Sequence, residues 1–224
     1  MRISAAKLGL FSAFFLSGFF YLTHARNFVE IEKNSKPTFL SKLENDVFKE
    51  LNLARRDPKA YASLIEKTLQ YYDGKLYKYP GKITIRTNEG PKAVKEAVKV
   101  LKKTKSYKEF SISKGLSLAG KDHVKDQSES GKVGHTGKDG SSPFDRMKRY
   151  GKYLRTAGEN ISYGENTGRS VVFQLIIDDG VPGRGHRKNI YNENFKTVGI
   201  ACGTHKKYRH MCVITFAGGF QEKK

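Results

Sequence analysis

The chain has 224 residues, with 42 Lys and Arg against 22 Asp and Glu, for a formal net charge of +20. It has one apolar run, Leu8 to Leu22, which excludes a multi-span membrane protein, and its two cysteines are too few for a disulfide-dense scaffold. What remains after that run is enough for one domain, or one domain with an insertion, with its own core.

Arg2 and Lys7, the apolar run and Thr23-His24-Ala25 follow the order of a secretory signal peptide, residues 1–25, cut after Ala25. The run is shorter than the roughly 20 residues that span a bilayer; an uncleaved anchor is the competing reading. Residues 1–25 carry two basic and no acidic residues, so the secreted chain stays strongly cationic. Such a charge favours anionic lipid, glycan or cell-surface partners, and secretion makes nucleic acid unlikely. Binding to anionic vesicles is expected to exceed binding to neutral ones and to fade with salt. The basic residues are also spread along the chain, so an ordinary solvated surface competes with a dedicated patch.

Residues 26–40 read as a polar linker, and a domain spans residues 41–222 with an insertion around 71–112. Ser41 and Glu44 fit a capping box, and Leu43, Val47, Leu51 and Ala54 then share one helical face. Asp57-Pro58 ends that helix and opens a second, with Tyr61, Leu64, Ile65 and Leu69 inward. Residues 71–90 read as irregular, with tyrosines 71, 72, 77 and 79 packing on the domain rather than stacking on sugars. Pro91 to Lys103 is helical. Ser113 starts another helix, whose inner stripe includes Leu116, Ala119, His123 and Val124. A Gly- and Ser-rich loop, 128–142, carries His135, and Ser142-Pro143 restarts a helix. Residues 170–179 form an apolar helix closed by Asp178-Asp179-Gly180. Val198–Ala201 and Val213–Phe216 read as a hairpin. Helices first and a hairpin last define an α+β fold with helices covering an antiparallel sheet. An oxidising compartment would let Cys202 and Cys212 pair across the hairpin. A metal site with His205 and His210 is the weaker alternative, and both histidines read as surface residues.

Three short words share a pattern: Gly134-His-Thr-Gly137, Ala157-Gly-Glu-Asn160 and Arg184-Gly-His-Arg-Lys-Asn189. Each sets a His or Glu beside glycine in a turn-like frame, which suggests one shared cleft. Asn160-Ile161-Ser162 is a formal glycosylation sequon, but the turn would need its Asn inside, so it is expected unmodified.

With Leu51-Asn-Leu-Ala-Arg-Arg-Asp-Pro58, Phe195-Lys-Thr-Val-Gly-Ile200 and Val213-Ile-Thr-Phe216, these words resemble the CAP superfamily: the cysteine-rich secretory, antigen 5 and pathogenesis-related 1 proteins, or SCP domain. Gly-His-Arg before Asn-Ile resembles the bacterial and protist branch. The resemblance implies an α-β-α sandwich whose cleft holds two His and two acids. By motif these are His135, Glu159 and His186. The fourth is usually a Glu three residues after a Trp; here Leu175 stands in the Trp place and Asp178 in the Glu place, with Asp179 adjacent. A carboxylate at that helix end needs a donor or cation to offset the helix carbonyls.

The resemblance implies lipid or sterol binding, or an extracellular partner, without catalysis. His135 and His186 could ligate Zn2+ with carboxylates behind them, which makes a zinc-dependent, peptidase-like hydrolase the alternative. A buried polar network and a structural protein with a vestigial site are the plainer readings.

Overall fold

The structure is a computed structural model that describes residues 39–223. The inferred signal peptide and residues 26–38 of the inferred linker lie outside the described residues. Ser41 caps α1 (Lys42–Arg56): its hydroxyl accepts from Glu44 N, and Ser41 N donates to the Glu44 carboxylate. Asp57 accepts from Ala60 N and caps α2 (Pro58–Glu66), with Pro58 in the first turn, where a missing N–H costs nothing.

Residues 71–90 are not irregular. They form a small antiparallel sheet of β1 (Tyr72–Asp73), β2 (Leu76–Tyr77) and β3 (Ile85–Arg86). Gly74, at φ 56°, makes the two-residue turn that sets Asp73 opposite Leu76. The turn residues are Gly74-Lys75, a Gly-X loop whose hairpin signal is masked here by the polar residues around it. The tyrosines pack largely on one another, with ring centroids 4.8–6.4 Å apart, and Tyr72 also reaches the core. Helix α3 (Pro91–Leu101) buries Ala93, Val94, Ala97, Val98 and Leu101, so it is part of the main core.

After β4 (Ser111–Ile112) come α4 (Lys114–Ser130), α5 (Pro143–Tyr150), β5 (Gly151–Tyr153), β6 (Ala157–Tyr163), α6 (Gly168–Ile177) and α7 (Gly185–Ile190). The long hairpin β7 (Thr197–His205) and β8 (Arg209–Ala217) follows, then β9 (Phe220–Glu222) against β5. The main sheet has the order β4-β7-β8-β6, which puts β6 at an edge. Alternation along its strands builds two cores. Val198, Ile200, Ile214 and Phe216 face α1, α2, α3 and α6, while Ala201, Met211, Val213 and Ala217 face α4 and α5. The α-β-α sandwich follows directly from that period of two.

Gly199 lies on the α4 side of β7, where a Cβ would collide with the backbone of Leu116 and Ser117. Gly199→Ala should therefore cost about 1–3 kcal/mol of stability, read from the urea midpoint. A change within error would mean that α4 can retreat.

Cys202 and Cys212 stand directly opposite in the hairpin register and are disulfide-bonded. Native protein should take up no alkylating reagent before reduction. Replacing both by Ser should cost about 2–3 kcal/mol, the chain-entropy value for so short a loop. Two alkylated thiols before reduction would contradict the bond. His205 is buried, not on the surface: Nε2 meets Lys132 O at 2.9 Å, and Nδ1 accepts from Lys207 N and Tyr208 N. It closes the hairpin turn, and its unprotonated Nδ1 is taken by backbone donors.

Candidate functional site

The first half of the site is built on the α4–α5 face of β6. Glu159 is not in a turn. It sits within the strand, paired with Thr215 of β8, and its side chain is buried. Glycine at 158 serves packing rather than a turn, since Phe195 lies against it. Arg146 of α5, only 2% exposed, donates Nη2 to both Glu159 oxygens at 3.0 and 2.9 Å, and its Nη1 holds His135 O at 3.1 Å and Ser141 O at 3.0 Å. One guanidinium thus neutralises the carboxylate and fixes the loop bearing His135.

That loop is pinned again one residue earlier. Gly134 N donates to the Tyr163 hydroxyl, while Gly134 O accepts from Gln127 Nε2 and His123 Nε2. His123 is a fully buried core residue, as its place on the helix stripe predicts, and burial lowers its pKa, which keeps it neutral. The His135 ring is half exposed, with Nδ1 2.9 Å from Glu159 Oε1. An ionised carboxylate only accepts, so Nδ1 carries a hydrogen, which in the neutral ring makes Nε2 the acceptor.

The second half lies on the other face of the same strand. Asp178, at φ 56°, caps α6 and is buried. Its Oδ1 is 2.6 Å from His186 Nδ1, and its Oδ2 accepts from His186 N at 2.9 Å and Arg187 N at 3.4 Å. The donors needed to offset the helix carbonyls are therefore the first N–H groups of α7. His186 lies in the first turn of a helix, not in a loop, because that turn must deliver these N–H groups to Asp178. Asp179 points elsewhere, accepting from Asn88 N and Glu89 N, so of the two it is Asp178 that meets His186.

The Asp178 turn is latched from outside. Arg184, itself at φ 55°, pairs with both oxygens of Glu89 at 2.6 and 2.7 Å and also donates to Asp178 O. Arg184 and Gly180 N hold the Glu89 carboxyl at about 2. The folded value lies below the ordinary glutamate value, so this contribution to stability is complete above about pH 5 and is lost as the pH falls toward 2. Glu89→Gln should flatten the acid limb of a stability–pH curve in that window. An acid limb identical to that of the parent chain would contradict it.

Asn160 joins the halves. It is fully buried, its Nδ2 donates to His186 O at 3.0 Å, and its Oδ1 accepts from Asn189 Nδ2 at 2.8 Å. Glu159 and Asn160 are adjacent on an edge strand, so their side chains leave by opposite faces. One holds the His135 loop and the other the His186 helix. With both amide atoms of Asn160 engaged inside, the sequon has no accessible acceptor nitrogen.

His135 and Glu159 thus meet, and His186 and Asp178 meet. Among the described residues no hydrogen bond or ion pair joins the dyads directly. Both imidazoles have Nδ1 on a carboxylate, the arrangement that prepares Nε2 as a metal ligand. Their carboxylates are committed as acceptors behind the rings. No three His, Cys, Asp or Glu among the described residues gather closely enough to hold a metal ion. The residues fit two zinc ligands at most, and the rest of a coordination shell would have to come from outside the chain. An open depression of about 440 Å³ lies beside the site, lined by His123, Arg146 and Arg149 among others; it contains neither His135 nor His186.

Arg146, Asn160 and Arg184 carry this arrangement; Asn160 and Arg184 lie inside the quoted sequence words without a role being read for Arg184, and no word included Arg146. A glutamate placed inside a domain demands a cation. Arg146, beside inward-facing Met147 on α5, was the available one.

An α-β-α sandwich with a His/acid pair on each face of its edge strand defines a CAP-type domain. Residues 84–216 match the family described as "CAP: Cysteine-rich secretory protein family", and the chain belongs to it. It is 33% identical over 109 residues to the uncharacterized protein YkwD of Bacillus subtilis, a match covering 49% of this chain and 40% of that relative. Among solved structures, an extracellular SCP-domain protein of Bacillus anthracis is 22% identical, with a TM-score of 0.40, over 50% of this chain and 34% of that one. An outer surface protein of Borrelia burgdorferi is 19% identical, with a TM-score of 0.42, over 52% of this chain and 80% of that one. Among the described residues no helix is long and apolar enough to cross a membrane.

Proposed function

We propose that this protein is a non-enzymatic recognition module that acts outside the cell and binds a lipid, a sterol or a cell-surface partner through its His/acid cleft and its cationic surface. The observation that carries the reading is the pair of imidazoles, each held Nδ1-down on a buried carboxylate. Such a cleft offers two fixed acceptor nitrogens that need no rearrangement to bind. Arg146 already neutralises Glu159 and the first N–H groups of α7 already hydrogen-bond Asp178, which favours recognition over proton shuttling. The disulfide, the leader-like start and membership of a secretory family support an extracellular setting.

The zinc-dependent hydrolase is the second reading, and carboxylate-backed histidines are what favours it. The test compares the parent chain with His135→Ala and His186→Ala in sterol and fatty-acid binding, zinc titration, and peptidase and esterase assays with and without chelator. Ligand binding lost in both variants, with no turnover in any of them, is the expected result. Turnover removed by chelator and by either substitution would replace this reading with the hydrolase. Unchanged binding in both variants would leave the cleft without a role.

A further inference from the structure

We infer that the ribbon β1–β3 is a docking tip for an anionic phospholipid surface. This rests on the reading that the protein works at such a surface, and it names the part that makes contact. Every residue from Tyr79 to Arg86 is exposed. Within that stretch Ile83 is 70% exposed, Ile85 48% and Tyr79 41%. A scattered exposed aliphatic residue is ordinary, but three large apolar side chains within seven residues form a patch.

The patch is held out by ordered structure. The tyrosine cluster stiffens the ribbon. Thr87 N bonds Lys75 O, and Asn88 and Glu89 bond Asp179, so the ribbon's base is tied to the body. Most of the tip also precedes the segment matched by the family, residues 84–216.

Charge selects the occupant. Each apolar residue has a cation beside it in the chain: Lys78 by Tyr79, Lys82 by Ile83 and Arg86 by Ile85. No acidic residue occurs between Gly74 and Asn88. Lys78 pairs with Asp73 and Lys82 with Glu165, while Lys75 and Arg86 have no acidic partner among the described residues. A second copy pairing along β3 would set like charges against each other, as lysine-guarded edge strands do. An anionic bilayer satisfies both features: lysine and arginine heads meet the headgroups while isoleucine and tyrosine enter the interface.

The chain contains no Trp, so a single Ile83→Trp substitution is a clean reporter. It reads position 83 itself, wherever else the full chain attaches. The probes are vesicles of phosphatidylcholine with about 30% phosphatidylglycerol, enough anionic lipid to set up a negative surface potential, and vesicles of phosphatidylcholine alone. The reporter should shift to the blue and be quenched by brominated lipid on the anionic vesicles only. A control Val100→Trp, at a position 41% exposed in the last turn of α3, should not shift. Ile83→Ser with Ile85→Ser should weaken vesicle binding at least tenfold, and Lys75→Gln should weaken it about fivefold, the effect of one surface cation. All three positions are exposed, so the melting temperature should stay put.

Three results would overturn the tip. If the parent chain binds anionic vesicles but the double Ser variant binds equally well, the contact lies elsewhere and the surface reading survives. If the parent chain binds no vesicle, that reading fails with it. If the tip instead drives a concentration-dependent dimer that the double Ser variant abolishes, its occupant is a second copy.

Discussion

Replacing Glu159 by Gln is expected to cost about 3–5 kcal/mol, because it leaves the charge of Arg146 buried without its counterion. The side chains of Arg146 and Glu159 are 2% and 1% exposed, and they share two hydrogen bonds. A glutamine Oε1 can still accept from His135 Nδ1, but its NH2 would face the Arg146 guanidinium where Oε2 now accepts. Arg146→Met combined with Glu159→Leu should be far less damaging than the sum of the two single changes, since it removes both charges together. Urea denaturation of the four proteins in the cycle measures this. A single-variant loss below about 1 kcal/mol would mean that water reaches the pair, which would then behave like a surface salt bridge.

Arg55→Met is the second large effect, with about 3 kcal/mol or more expected. Arg55 lies at the end of α1, 1% exposed, and has no carboxylate partner among the described residues. It donates to four carbonyls: Lys108 O at 2.9 Å, Ile190 O at 2.6 Å, Asn192 O at 3.1 Å and Phe195 O at 3.5 Å. Its guanidinium lies 4.0 Å from the centre of the Phe110 ring. Burial pushes its pKa down to about 10, so it is still charged at neutral pH. This side chain ties α1 to the segment that follows α7, and so supports the His186 helix from behind. Arg55→Lys should recover little, because one ammonium cannot span carbonyls that a planar fork reaches. Near-parental melting of Arg55→Met would show that water can satisfy those carbonyls.

Much of this was legible in the residues alone. Capping words set the starts of α1, α2, α4 and α5, because Ser41, Asp57, Ser113 and Ser142 each satisfy N–H groups within their own turn. Such interactions are local, so a short stretch of sequence contains all of their physics. The hairpin and its disulfide were readable for the same reason: ten positions separate Cys202 from Cys212.

The site was legible only as a set of residue types. Glu159 read as part of a turn because glycine precedes it; that it lies in an edge strand depends on β8, some fifty residues later. The choice between Asp178 and Asp179 rests on where the N–H groups of α7 arrive and on Asn88 and Glu89, about ninety positions away. The roles of Arg146 and Arg55 depend on burial, which no local pattern reveals for a charged residue. Period and capping determined an α+β fold with helices on an antiparallel sheet from the sequence by itself, and the family resemblance implied the α-β-α layering. Only the tertiary structure decided which charges are buried, what neutralises them and which imidazole nitrogens stay free, because those are properties of distant segments meeting.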